Sequence, residues 1–155
     1  HRIEISGWSM TSDAYHFVAP HLPTVTRCMA ECIDKSGISS HDIDVVNAHA
    51  TSTKVGDEVE YEALKSVFGD SLPPVSANKS LIGHAMGASS AIETIFAMEG
   101  MLKGVVPPTI NYTPDPELVL DCIADGARQL DQEYVLKNSF GFGGCNACIV
   151  FRRLA

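Results

Sequence analysis

"DIDVVNAHATSTKVGDEVEYEALKSVFG", residues 42–69, carries an apolar strand-like run straight into an acidic helix-like run. "DIDVVNAHA" reads as a short strand buried on both faces, with the strand proper over 43–49. "GDEVEYEALKSVFG" reads as a helix: its acids fall in the first turn, where the positive end of the dipole favours them, and Gly69 ends it. Between the two sit His49, Thr51, Ser52 and Thr53. In open α/β sheets, sites gather where a strand hands over to a loop and a helix.

The same alternation continues on either side. "RIEISGWSM" (2–10) is rich in β-formers and reads as a strand. "TVTRCMAECIDKSG" places Val25, Met29 and Ile33 on one helical stripe, beside Cys28 and Cys32, and Gly37 stops it. "PPVSANK" is a short strand over 74–77. "GHAMGASSAIETIFAMEGMLKG" (83–104) is expected to be one long helix, buried between layers because its first half is nearly all small residues. "VVPPTINYTPDPELV" is proline-rich and irregular. "YVLKNSF" and "CNACIVFRR" are strands, and the "GFGG" between them makes a hairpin turn. The order β-α-β-α-β-α followed by β-β implies an α/β fold, a mixed sheet with helices on both faces.

The chain has 155 residues, the size of one domain, with 45% apolar residues. No apolar run is long enough for a membrane span, and no signal peptide is visible. The first residue is His1, so the chain reads as cut from something longer, or processed. A net charge of −8 argues against nucleic acid. An acidic partner must then dock on a local cluster such as Arg152–Arg153, or on sequence outside this chain. Five scattered cysteines without a signal sequence suggest reduced thiols in a reducing compartment: the cytoplasm, or an organelle stroma or matrix. Cys145 and Cys148 match CxxC, but no second ligand pair follows, and on a strand the two face opposite sides.

Three junctions hold residues suited to chemistry. His49 ends a strand; alone it is more often a structural histidine, and the hydroxyls after it are more often helix caps. Lys79 and His84 lie between strand 74–77 and the small-residue helix. A helix start favours the neutral form of His84, which would make it a hydrogen-bond donor, while a plain N-terminal histidine is the default reading of that residue alone. Glu93 lies on a largely apolar helix and needs a partner, for which Lys79 is the candidate. In "NSFGFGG" (138–144), Phe140 and Phe142 flank Gly141, placing aromatics in a mobile loop. A metal site from His49 and His84 lacks a third ligand.

Taken together, "NAHATST…GD", "NKSLIGHAMGASSAIE", "VPPTIN" and "NSFGFGGCNA" resemble the C-terminal half of a β-ketoacyl-[acyl-carrier-protein] synthase of the elongating I/II type, from about residue 5 to residue 152. Polyketide ketosynthases share these motifs. The resemblance implies one half of a thiolase-like, αβαβα layered fold. It puts the family's two catalytic histidines on His49 and His84 and its lysine on Lys79. Glu93 pairs with that lysine, and Asp57 is a supporting acid. Thr51 and Thr53 hold the pantetheine arm, and Phe142 gates the glycine loop, with Phe140 and Gly143 beside it. The implied chemistry is decarboxylative Claisen condensation of an acyl thioester with malonyl-carrier protein. The implied partner is the acyl carrier protein, whose phosphopantetheine is the substrate arm, so no separate cofactor is expected. The complete enzyme is expected to be a homodimer.

The resemblance also implies that the nucleophilic cysteine lies in an N-terminal half, because none of the five cysteines has its setting. The chain alone is then expected to be inactive, and its small-residue helix to need a covering half or an oligomer. Ala50 and Cys145 stand where the family usually has glycine and threonine, and Val18 or Ala19 where some members have a threonine for the arm. Two other readings keep the fold: a malonyl-carrier-protein decarboxylase, and a chain-length-factor-like partner subunit.

Overall fold

The computed structural model describes residues 2–154. Strand β1 (Arg2–Ser12) leads to helix α1 (Leu22–Lys35), β2 (Val45–Asn47) and α2 (Lys54–Phe68). Then come β3 (Val75–Ser76), a single helical turn α3 (Lys79–Ile82) and the long helix α4 (Ser89–Lys103). After β4 (Val105–Val106), β5 (Arg128–Gln129) closes a two-residue ladder with it, and β6 (Tyr134–Gly141) and β7 (Cys145–Leu154) form the hairpin. The main sheet has the order β1-β7-β6-β2-β3. β6, β2 and β3 run parallel, while β7 is antiparallel to both its neighbours, so the sheet is mixed as expected.

Each face of the sheet has its own core. Val25, Cys28, Met29, Cys32 and Ile33 of α1 and Ala63, Leu64 and Phe68 of α2 pack against Val46, Leu136, Cys148 and Val150. On the opposite face, Ala97 and Met101 of α4 pack against Val45, Val135 and Phe151. The alternation of β6 therefore sends Val135 and Lys137 toward α4, and Leu136 and Asn138 toward α1 and α2. This matters for the site, because β6 carries a polar residue to each face.

Three expectations change. The strand expected over 43–49 is paired only over Val45–Asn47. Ala48 N–H still donates to the Ser76 carbonyl, but the next two N–H groups go to the Glu60 carboxylate, which ends the ladder. The helix expected over 83–104 begins at Ser89. Gly83 and Met86 have positive φ, 76° and 50°, and break the path between α3 and α4. The small-residue segment is also not buried among the described residues. Helix α4 turns Ser89, Glu93, Ala97 and Gly100 to the sheet, while Met86, Ala88, Ala91 and Ile95 face outward. The same spacing of small residues that permits close packing here fits a face with nothing yet laid on it.

Candidate active site

Three chain segments meet at the end of the parallel strands. β2 delivers His49, the turn after β3 delivers Lys79 and then His84, and β6 delivers Lys137 and Phe140. The His49 and His84 rings stand edge to face, centroids 6.0 Å apart at 86°. Phe140 closes the other side of His49, at 5.5 Å between centroids.

The backbone at His49 is held from beneath. Both carboxylate oxygens of buried Glu60 accept hydrogen bonds, from His49 N–H at 2.9 Å and from Ala50 N–H at 2.8 Å. Asn138 Nδ2 on β6 donates to the same carboxylate at 3.0 Å. Hydrogen bonds to a charged group contribute about 1.5–3 kcal/mol each. They hold a strained turn, since Ala50 has φ 32° and Ser52 φ 61°, values that favour glycine. Ala50 thus sits in a conformation that glycine would adopt at lower cost.

Hydrogen bonds also select the tautomer of each ring. Lys79 Nζ lies 3.4 Å from His49 Nδ1 and also donates to the His49 carbonyl oxygen. An ammonium only donates, so Nδ1 accepts and the ring proton sits on Nε2. Burial first, then the Lys79 and Lys137 ammoniums and His84, push the His49 pKa down to about 3. At His84, Nδ1 accepts from Met86 N–H at 3.1 Å and lies 3.0 Å from Ser89 Oγ. His84 is therefore also the Nε2–H tautomer. Its setting differs from the expected helix start. It lies in the 83–88 connection, and the local turn, not the helix dipole, sets its tautomer.

Lys79 is buried. Its Nζ is 2.6 Å from Glu93, the expected partner, and both side chains are buried. The second Glu93 oxygen is 2.7 Å from Lys137 Nζ. Neither Lys137 nor Glu60 was picked out from the sequence. Each left a signal: a lysine inside the apolar run "YVLKNSF", and a glutamate directly before the buried stripe of Tyr61, Ala63 and Leu64 on α2.

The hydroxyls after His49 do not cap α2. Thr53 occupies the N-cap position without a side-chain capping bond, and its Oγ1 lies 3.0 Å from Thr51 Oγ1. Gly56 leaves the space for them, since a Cβ there would come within 2.4 Å of Thr53 Oγ1. Gly56→Ala is expected to favour the bare helix by about 1 kcal/mol, yet to displace the Thr53 hydroxyl. The melting temperature should change little while the Thr53 hydroxyl moves away from Thr51, read by a thermal melt and a crystal structure of the variant.

Asp57 stands in the first turn of α2. Burial, then neighbouring Glu60, raise it to about 6, against the pull of the N–H groups of Ser52, Thr51 and Thr53. The unfolded pKa is 3.8, so the folded state holds the proton more tightly and stability falls as pH rises from 3.8 through about 6. Asp57→Asn is expected to raise the melting temperature at pH 7 and leave it nearly unchanged at pH 4, a pair of melts that reads the sign directly.

The glycine turn is fixed by the segment after β1. Gly143 N–H donates to the Phe17 carbonyl at 2.7 Å, and Asp13 N–H donates to the Gly144 carbonyl at 2.8 Å. Gly144 has φ 76°, and a Cβ there would come within 2.4 Å of the Asp13 Cβ. Phe142 is exposed and stacks on Phe17 at 5.8 Å. Phe140, expected in the loop, is a β6 residue against His49.

The cysteines and arginines fall away from the site. Cys28, Cys32 and Cys148 are buried in the core on the α1 face, Cys145 is exposed at the start of β7, and all five thiols are free. Cys145 and Cys148 thus differ in environment, as alternate faces require. Among the described residues, no thiol is hydrogen-bonded to either imidazole, and no group of three or more His, Cys, Asp or Glu is placed for a metal. The suggested basic cluster is already paired. Arg152 meets Glu4 and Glu133, and Arg153 meets Asp131, so neither is a free anion site.

The architecture agrees with comparisons against known proteins. The family model described as "Beta-ketoacyl synthase, C-terminal domain" matches residues 2–113. The 3-oxoacyl-[acyl-carrier-protein] synthase 2 of Staphylococcus aureus (strain COL) is 43% identical over 155 residues, covering 97% of this chain and 37% of that protein. A β-ketoacyl synthase from Burkholderia phymatum STM815 superposes with a TM-score of 0.94 at 39% identity, over 99% of this chain and 38% of that one. A type II PKS ketosynthase, in a complex with its acyl-carrier protein, also gives 0.94, at 34% identity over 98% of this chain and 38% of that one. The chain belongs to the β-ketoacyl synthase C-terminal domain family and has the thiolase-like fold of the ketosynthases. It spans little more than a third of the length of the curated relatives it matches.

Proposed function

We propose that this domain is the enolate-stabilising side of a 3-oxoacyl-carrier-protein synthase. The observation that carries the reading is the pair of imidazoles, each with Nδ1 already accepting and Nε2–H left to donate. In the proposed reaction, the bond between the malonyl α-carbon and its carboxylate breaks and carbon dioxide leaves. The electron pair moves onto the thioester as an enolate. His49 and His84 donate to the enolate oxygen, where the negative charge develops; such preorganised donors supply the largest catalytic term in many acyl-transfer sites. The α-carbon then attacks an acyl thioester held on a cysteine, forming the new carbon–carbon bond and releasing the thiolate.

That cysteine is assigned to a segment outside these residues, since among the described residues no thiol is hydrogen-bonded to either imidazole. Thr51 and Thr53 are assigned to the pantetheine arm of an acyl carrier protein, and Phe142, with Gly143, to the gate of the acyl site. No cofactor beyond that arm is required. A homodimer in the cytoplasm, or in an organelle matrix, fits the reading. Retention of both histidines and the buried lysine favours a condensing subunit over a chain-length-factor role.

The test is an assay of the intact synthase with malonyl-carrier protein and an acyl-carrier protein. Release of carbon dioxide coupled to 3-oxoacyl product supports the reading. Carbon dioxide release without condensation assigns the domain to a decarboxylase, and neither product sinks the proposal. The 155-residue chain alone is expected to elongate nothing.

A further inference from the structure

The ion cluster behind His49 contains one lysine more than the proposed chemistry uses. Lys137 is 2% exposed in side-chain terms, among the most deeply buried polar groups described. It reaches the site from the centre of the sheet. Its Nζ meets Glu93 at 2.7 Å, lies 3.2 Å from Ser139 Oγ, and donates to the Asn138 carbonyl oxygen. Glu93 is thus shared, one oxygen to Lys137 and the other to Lys79 at 2.6 Å.

This sharing has a geometric consequence. Glu93 rides on α4, while Lys79 sits on the short turn α3, before the break at Gly83. A carboxylate held only by Lys79 can rotate to take its ammonium with both oxygens and draw it off the His49 carbonyl and Nδ1. With one oxygen held by Lys137, which is anchored in β6, Glu93 offers Lys79 a single oxygen and leaves the other ammonium protons facing His49.

We propose that Lys137 is a positioning residue of the condensing site: held by the sheet, it fixes Glu93 and through it Lys79, and so keeps His49 oriented as an Nε2–H donor. This rests on the ketosynthase reading above. His49 is faced by Lys79 from α3, His84 from the 83–88 connection, Lys137 and Phe140 from β6, and Glu60 from α2 through its main chain. Asp57 lies a turn before Glu60, and Glu93 of α4 stands behind the two lysines. The buried lysines and the carboxylates Glu93 and Glu60 balance in charge, so removing Lys137 leaves a net negative cluster behind the ring. The loss of that cation also favours protonation of His49.

The experiment uses Lys137→Met in the intact synthase, with three readouts: acyl loading onto the nucleophilic cysteine, decarboxylation of malonyl-carrier protein, and the pH profile of decarboxylation. Decarboxylation is expected to fall by about tenfold to a hundredfold, the scale of a misplaced catalytic group. Acyl loading should stay within about threefold, and the acid limb of the profile should move up by about one pH unit. Unchanged decarboxylation and pH profile overturn the proposal, as does a parallel loss of loading and decarboxylation with the acid limb in place, which marks a structural role alone. If Lys137→Met does not fold, Lys137→Arg decides. It keeps the charge but moves the donor atoms, so selective loss of decarboxylation supports positioning and wild-type behaviour overturns it. A wild-type synthase that releases no carbon dioxide instead defeats the ketosynthase reading itself.

Discussion

Alanine at His49 or at His84 is expected to slow decarboxylation of malonyl-carrier protein by roughly 10²–10³-fold, the scale seen when one preorganised oxyanion donor is removed. The effect should be chemical, not architectural. Lys79 donates to the main-chain carbonyl of residue 49, and Glu60 accepts from its main-chain N–H, and both survive truncation of the ring. His84 is exposed in this domain, and its loss costs only the bonds from Met86 N–H and Ser89. Acyl loading onto the cysteine generates no malonyl enolate and should change by no more than a few fold. The double variant should be less damaged than the product of the two single losses, because both donors act on one oxygen. Rapid-quench measurement of carbon dioxide release and of acyl-enzyme formation separates the two steps. Decarboxylation that persists in both single variants would falsify the enolate assignment.

Glu93→Ala is expected to be the most destabilising single change at the site. It leaves the Lys79 and Lys137 ammoniums buried without their shared carboxylate. Breaking a buried pair by removing one partner costs about 3–5 kcal/mol, because the remaining charge stays out of water. The sign with pH follows from Lys137. Burial already lowers its pKa below 10.5, with Glu93 opposing that shift. Without Glu93 the shift deepens. The unfolded chain then binds the proton more tightly than the folded one, and stability rises with pH as Lys137 sheds it. Urea denaturation should therefore show a large deficit at pH 7 that narrows toward pH 10. A loss below about 1 kcal/mol at pH 7 means that the cluster does not bear the charges the geometry assigns.

Much of this site was legible before any coordinates. His49, Lys79, His84 and Glu93 stood at strand ends or on an apolar helix, and the structure gathers all four. The unread part involved residues whose partners are distant in the chain. Glu60 looks like one acid among several in "DEVEYE", and only the close approach of α2 to β2 turns it into the clamp on His49 and Ala50. Lys137 looks like a charged interruption in a strand until α4 brings Glu93 across the sheet. The break at 83–88 was hidden because alanine, glycine and serine in a row satisfy helical spacing, while the backbone there takes positive φ at Gly83 and Met86. The Arg152–Arg153 pair read as a docking patch because its acids lie at positions 4, 131 and 133, which the sheet alone brings together.

Local pattern thus determined the order of the main strands and helices and the mixed sheet covered on both faces, because burial periodicity is a property of short stretches. The motifs added the family. The tertiary structure decided which nitrogen of each imidazole carries its proton, and with it which nitrogen is left free to donate. Tautomers depend on what lies against Nδ1: for His49 this is Lys79, thirty residues away in the chain and held by charges from two further elements.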